Sequence, residues 1–381
     1  MRTNVDSLLV SQEEEAIRGA DLTTAPLKVR VVRLELGGAE VEEIAGGSEE
    51  EEVPAAQTLV LPNVGLQGVW ESLVYEGPVK RDLLNYAFAM LHLSIRGVDS
   101  NIVGCNRVVL LHGPPGTGKT SLCRALAQKL VIRLGEFFTS GQLVEINSHS
   151  LFSKWFSESG KLVQKMFTEI KRLVENPGCL VCVLIDEVES LTAARKASGS
   201  EPSDAIRVVN ALLTQLDQIK MAPNVLILTT SNITGAIDGA FVDRADIVQY
   251  IGPPNQAAIY QILFSAIQEL MSKDVILLED TLMNHRELEL TEFNKSDATE
   301  SSLHLWHTAQ LCQKAQLSGR ALRKVLSFLV ASEVKVHCPG PLLGVCLVLQ
   351  PQEEAHSKGV FGELGEGSEE ATGREGGSGQ V

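Results

Sequence analysis

Between Arg107 and Pro254 the apolar residues fall in short uninterrupted runs: Val108 to Leu111, Leu143 to Ile146, Leu180 to Ile185 and Val225 to Leu228. Helix-length segments separate them. Strands that are apolar on both faces belong to a parallel sheet covered by helices, so the pattern predicts an α/β domain. Ahead of it, Leu83, Leu84, Ala87, Met90 and Leu91 recur at helical spacing after a Pro/Gly-punctuated entry, which predicts a linker helix packed on that domain. Beyond Pro253-Pro254, Gln256 to Met271 and two segments between Ser302 and Ala331 keep the helical period without strand signals. A small helical domain is expected there. Residues 1–58 read as a short amino-terminal region with one half-buried strand at Leu27 to Val31 and a solvated acidic loop at Gly46 to Glu52. The organisation is thus 1–58, an α/β domain at 59–254, a helical lid at 255–331, and a Gly/Glu-rich tail at 332–381 that is expected to be disordered.

Charge narrows the function. The formal net charge of -15 opposes a phosphate backbone, so no direct nucleic-acid contact is expected. The run Leu342 to Leu349 is far short of the ~20 residues of a membrane span, and none is expected. Seven cysteines, several inside apolar runs, argue against a disulfide framework. Cys179 and Cys182 form a CxxC, but strand geometry turns them to opposite faces, and core packing explains them better than a metal.

The chemistry centres on Gly113-Pro114-Pro115-Gly116-Thr117-Gly118-Lys119-Thr120, a GxxxxGK[ST] loop that follows an apolar strand and opens a helix. Glycines let backbone N–H groups curl around phosphate oxygens, and the helix terminus adds partial positive charge. Lys119 would reach the outer phosphates of ATP and Thr120 would ligate Mg2+. The run Leu180 to Ile185 ends in Asp186-Glu187, which places two carboxylates where doubly wound sheets bind ligands. Asp186 would hold magnesium, directly or through water, and Glu187 would polarise the attacking water. Thr229-Thr230-Ser231-Asn232 closes the fourth run, with Asn232 able to touch the water or terminal phosphate. Arg244 could project toward a neighbouring subunit's nucleotide, or pair locally with Asp243 or Asp246. Lys154-Trp155-Phe156 lie between the two motifs, with Gly160 beyond them. Burying both adjacent rings in one core is difficult, so one is expected to be displayed.

Those motifs in that order, with Gly319-Arg320 in the helical segment, resemble the AAA+ ATPases. The stretches Leu151 to Gly160, Asp186 to Arg195 and Glu201 to Asn210 resemble more narrowly the branch that remodels HORMA-domain proteins. The resemblance runs from about Leu61 to Ala331. It implies a ring homo-hexamer in which ATP hydrolysis unfolds part of a HORMA-domain protein, together with an adaptor. The implied settings are the spindle checkpoint and meiotic recombination, in nucleus and cytoplasm, with chromosome association in meiosis. By position, Trp155 becomes the pore-loop aromatic, Lys154, Phe156 and Gly160 its neighbours, Glu187 the hydrolytic residue, Asn232 the first sensor, Arg244 the arginine finger and Arg320 the second sensor.

Two departures accompany the resemblance. The region before Leu61 is shorter than the substrate-receiving domain of the branch. After about Leu326 the usual closing helices are replaced, which is expected to expose Leu322, Val325, Leu326 and Leu329. The alternative reading is a nucleotide-gated scaffold with little productive remodelling. A clamp-loader-like role on DNA fits the charge and the aromatic loop poorly.

Overall fold

The structure, a computed structural model, describes residues 31–44, 53–99, 102–148, 159–190, 203–232, 239–276, 281–296 and 298–325. The expected strand at Leu27 to Val31, the acidic loop, the aromatic residues at 154–156 and the 332–381 tail fall wholly or mostly outside these residues. The chain divides into two compact units, one from residues up to 71, 78–114 and 119–251, the other from 72–77, 115–118 and 252 onward.

The first unit is built on a seven-stranded sheet. Its strands are β1 (Glu40–Ile44), β2 (Val53–Leu61), β3 (Val108–His112), β4 (Ser140–Asn147), β5 (Cys179–Asp186), β6 (Val225–Ser231) and β7 (Ile247–Tyr250), in spatial order β1-β2-β4-β5-β6-β3-β7. The longer helices of this unit are α1 (Val79–Ile95), α2 (Lys119–Arg133), α3 (Ser159–Val174) and α4 (Ser203–Ile219), with a further turn of helix at Gly239–Val242. All four expected apolar runs are strands. In β5 the residues from Cys179 through Ile185 are buried, as is all of β6, because helices cover both faces. Each such Val, Leu or Ile contributes about 1.5–3 kcal/mol relative to exposure. Phe167, Val183, Val209 and Ile227 share one core cluster on one side of the sheet, and Cys179 belongs to it. Cys179 and Cys182 are both buried free thiols whose pKa burial pushes up.

The sheet differs from the all-parallel expectation at one edge. Strand β2 pairs antiparallel with β4, Ala56 opposite Ile146 and Leu61 opposite Gly141, and β1 pairs antiparallel with β2. Along β2, Ala56 and Thr58 are buried with exposed Gln57 between them, but the alternation breaks at its end, where Val60 is exposed and Leu61 buried. It also crosses the boundary drawn at residue 58, so part of the amino-terminal region is sheet. A seventh strand, β7, went unread because its exposure alternates and it lies at the opposite edge. The five remaining strands are parallel, so their carboxyl ends emerge along one border. His112 is level with Ser231, and Ile185 with Thr229. That register sets the phosphate loop, the Asp186-Glu187 pair and Asn232 side by side.

The second unit is helical: α5 (Gln256–Ser272), α6 (His285–Leu290) and α7 (Glu300–Lys314), with further helix over 319–325. Asn255 caps α5 by accepting from Ala258 N. Its core gathers Ile259, Leu263, Leu288, Leu305 and Ala309 with an aromatic group of Tyr260, Phe293 and Trp306. Helix α6 was not expected, although Asn284 and Glu287 satisfy each other's backbone N–H in a capping box that the sequence displays. The expectation for Leu322 is corrected: it is fully buried in this core, because the helix beginning at Gly319 turns it inward. Leu326 and Leu329 lie outside the described residues.

Candidate nucleotide site

The phosphate loop depends on backbone that only glycine adopts without strain. At Gly113, φ is 146°, and a Cβ there would lie 2.1 Å from Ile251 O. Gly113 N donates to Ser231 O at 3.2 Å, tying the loop's entrance to β6. Gly116 and Gly118 also have positive φ, 77° and 89°. Pro114 and Pro115 stiffen the turn between these glycines, and Thr117 is buried. Lys119, only 4% exposed, donates from Nζ to Gly113 O and to Pro114 O, each at 2.8 Å. A buried ammonium requires such partners, and these hold it at the loop's mouth. Burial and the Lys119 charge keep the His112 imidazole below its usual pKa, which leaves it neutral at pH 7 beside the loop.

Thr120 is the second residue of α2, and its Oγ1 donates to Asp186 Oδ1 at 2.9 Å across 66 residues of sequence. This donor set fits magnesium. A hydroxyl that gives its proton to a carboxylate keeps its lone pairs for a hard cation, and the carboxylate supplies charge. Asp186 is fixed further: its backbone O accepts from Ser148 Oγ at 2.7 Å, and Oδ1 also accepts from Thr230 Oγ1.

Glu187 has φ of 59°, a left-handed conformation unusual for a residue with a side chain. Its backbone N donates to Thr230 Oγ1 at 3.2 Å. The side chain is exposed, and Oε1 accepts from Asn232 Nδ2 at 3.3 Å. Asn232 N in turn donates to Glu189 Oε1 at 3.0 Å. The structure therefore brings Thr120, Asp186, Glu187 and Asn232 together, as the sequence reading required. It adds Thr230, Glu189 and Ser148, which that reading left without roles. Two threonines at a strand end and an acid two places after Glu187 were the available signals. Their partners depend on strand neighbours rather than local spacing.

Arg244 departs from the sequence alternatives. Its local partner is neither Asp243 nor Asp246 but Asp217 at the end of α4. Nη2 donates to Oδ2 at 2.8 Å, Nε to Oδ1 at 3.1 Å, and Nη1 to Ala240 O at 2.8 Å. Asp246 instead accepts from Asn106 N and Val108 N at the start of β3. The hydrogen bond from Arg244 holds the Asp217 carboxyl below its ordinary pKa, burial opposing it and Lys220 assisting. A lowered folded pKa means the pair stabilises above the unfolded carboxylate range and is lost as pH falls through the folded value. Asp217→Asn should therefore lower the melting temperature at neutral pH by no more than about 4 °C, the effect of a half-exposed pair worth up to about 1 kcal/mol. Acid titration of both proteins checks this: the difference should shrink as pH falls through the lowered Asp217 pKa, and a deficit persisting once that carboxyl is protonated would assign it to packing.

Within the second unit, Arg320 N donates to Gly116 O at 3.2 Å while its side chain is exposed. A Cβ on Gly116 would lie 2.7 Å from Ser318 Oγ. Tyr75 OH donates to Gly118 O at 3.3 Å, a contact absent from the sequence reading. Lys154, Trp155 and Phe156 lie outside the described residues, and Gly160 falls in the first turn of α3. Among the described residues no helix is long and apolar enough to cross a membrane, and no group of three or more His, Cys, Asp or Glu side chains is gathered to hold a metal ion by themselves.

Comparison with known proteins identifies the family. Residues 109–253 match the model of the ATPase family associated with various cellular activities (AAA), and residues 255–338 match the TRIP13-like AAA+ ATPase lid C-terminal domain. The lid match extends past Leu326, where the sequence was read as diverging. The pachytene checkpoint protein 2 homolog of Danio rerio is 60% identical over 279 residues, covering 73% of this chain and 65% of that protein. The homolog of Canis lupus familiaris is 51% identical over 366 residues, covering 93% and 83%. The solved structure of C. elegans PCH-2 superposes with a TM-score of 0.69 at 41% identity, covering 83% of this chain and 75% of that one. A chain of the E. coli MS115-1 HORMA:CdnC:Trip13 complex shares the fold, with a TM-score of 0.54 at 17% identity, covering 77% and 93%. At this identity and coverage the chain belongs to the AAA ATPase family, in the branch of the pachytene checkpoint protein 2 homologs, and its chemistry is the hydrolysis of ATP.

Proposed function

We propose that this chain couples ATP hydrolysis to the conformational remodelling of HORMA-domain proteins, acting as a ring homo-hexamer with an adaptor. The observation that carries the reading is the match of residues 255–338 to the TRIP13-like lid, joined to a hydrolytic site whose residues are in mutual contact. The solved E. coli assembly that contains both a HORMA protein and Trip13 supports the substrate class.

In this reading Lys119 and the loop N–H groups bind the phosphates of ATP, and Thr120 and Asp186 hold Mg2+. A bound magnesium ion would neutralise charge on the phosphate oxygens. Glu187 orients the attacking water and accepts its proton, while Asn232, already hydrogen-bonded to Glu187, reports whether the terminal phosphate is present. Arg244 would serve a neighbour's nucleotide, Arg320 would act as the second sensor, and Trp155, with Lys154, Phe156 and Gly160, would grip the substrate chain. Action in the spindle checkpoint and on meiotic chromosomes, in nucleus and cytoplasm, belongs to the same proposal.

The test adds a purified HORMA-domain protein and its adaptor and measures both ATPase rate and the substrate's conformation. Stimulated hydrolysis with conversion supports the remodeller; nucleotide binding without either favours a scaffold. Trp155→Ala should leave basal ATPase near the unmodified rate and abolish conversion. A core Trp would instead cost ~3–5 kcal/mol on truncation, which a large fall in melting temperature would expose.

A further inference from the structure

Near the end of strand β6, just before Ser231, lie two adjacent threonines, each 1% exposed, whose hydroxyls do different things. Thr229 Oγ1 donates to Val109 O at 3.1 Å, a bond to the neighbouring strand β3. Thr230 Oγ1 donates to Asp186 Oδ1 and accepts from Glu187 N at 3.2 Å. A hydroxyl has one proton to give and lone pairs to receive with, so a single oxygen satisfies both residues at once. Thr230 O also accepts from Val188 N at 3.0 Å, and two residues on, Asn232 N donates to Glu189 Oε1. The end of β6 thus grips the turn after β5 at Asp186, Glu187, Val188 and Glu189 in succession.

We propose that Thr230 is a positioning residue for hydrolysis, fixing the Asp186 carboxylate and the Glu187 peptide relative to each other. The terminal torsion of an aspartate is soft, and Asp186 Oδ1 accepts from the hydroxyls of Thr120 and Thr230. The left-handed Glu187 backbone persists only where its surroundings over-determine it, and its N–H is directed at Thr230 Oγ1. Burial means that water does not readily replace the hydroxyl. A displacement of about 1 Å in a positioned group costs on the order of 10²-fold in rate, which is the scale at stake. The inference rests on reading Asp186 as the magnesium carboxylate and Glu187 as the hydrolytic residue.

The test compares Thr230→Val, Thr230→Ser and Thr229→Val in the full chain. It measures ATPase rate, the Mg2+ dependence of binding a fluorescent ADP analogue without turnover, and melting temperature. Thr230→Val should lower kcat about 10- to 100-fold and raise the Mg2+ concentration at half-saturation of binding. Thr230→Ser, which keeps the hydroxyl, should restore both. Thr229→Val, losing an equally buried hydroxyl, should lower the melting temperature while leaving rate and Mg2+ dependence intact. Should the Val variant fail to fold, Thr230→Ala carries the same comparison. Unchanged kcat and Mg2+ dependence in the Thr230 variants, or no rescue by Ser, would overturn the proposal and leave a packing role. Glu187→Gln run in parallel separates the failures: a Gln variant that still hydrolyses ATP sinks the underlying reading, whereas an inactive Gln variant beside an active Thr230→Val sinks the positioning role alone.

Discussion

Arg244→Ala is expected to lower ATP turnover by ~10³ to 10⁵, about 4 to 7 kcal/mol in transition-state stabilisation, if the side chain serves the phosphate of a neighbouring subunit. The structure gives this arginine a defined starting geometry. Its guanidinium is forked against Asp217 and its Nη1 bonded to Ala240 O, so its position is set by α4 and by the turn at Gly239–Val242. A purely local ion pair of this exposure contributes only about 0.2–1 kcal/mol, too little to affect turnover on that scale. The magnitudes therefore separate the two roles. Mixing Arg244→Ala subunits with Lys119→Ala subunits should restore part of the activity, because an intact loop on one subunit meets an intact arginine on the next. Absence of recovery at every mixing ratio, with both proteins folded, would return Arg244 to a structural role.

Glu187→Gln should reduce hydrolysis about 10²- to 10⁴-fold while ATP still binds. The substitution is nearly isosteric: a glutamine oxygen can still accept from Asn232 Nδ2, and the backbone bond to Thr230 is untouched. Asp186 and Thr120 keep their contact, so the groups proposed to hold nucleotide and metal are spared. What is removed is the negative charge that, in the proposed mechanism, takes the proton of the water. Lys119→Ala should behave oppositely and abolish binding, since it deletes the ammonium seated on Gly113 O and Pro114 O. Equilibrium nucleotide binding and single-turnover hydrolysis, measured on both variants, distinguish these outcomes. Turnover by the Gln variant near the unmodified rate would exclude Glu187 as the hydrolytic residue.

Much of this site was readable before any coordinates. The phosphate loop occupies consecutive residues whose backbone demands glycine at fixed positions, and a strand run before it with a helix after it can be recognised locally. Asp186-Glu187 was readable for the same reason, as the carboxyl end of an uninterrupted apolar run. The capping box at Asn284 was equally local and marks a helix that periodicity alone missed, because six residues are too few to show a period.

The contacts that organise these groups were not local. Thr230 meets Asp186 across 44 positions and Arg244 meets Asp217 across 27, and neither spacing has a period to betray it. They exist because β6 lies between β5 and β3 and because α4 ends near the turn at Gly239–Val242, both consequences of how the apolar faces pack. Strand β2 illustrates the same limit: it went unread in the sequence, and only pairing with β4 decides that it extends the sheet antiparallel. Leu322 shows it once more, since a helical stripe of apolar residues states that a face must be covered without naming the cover. The sequence by itself determined which chemical groups the site contains, because covalent neighbours carry the motif. Tertiary structure alone decided which of their hydrogen bonds are made, because burial on both faces of the sheet selects the strand order that brings distant residues within reach.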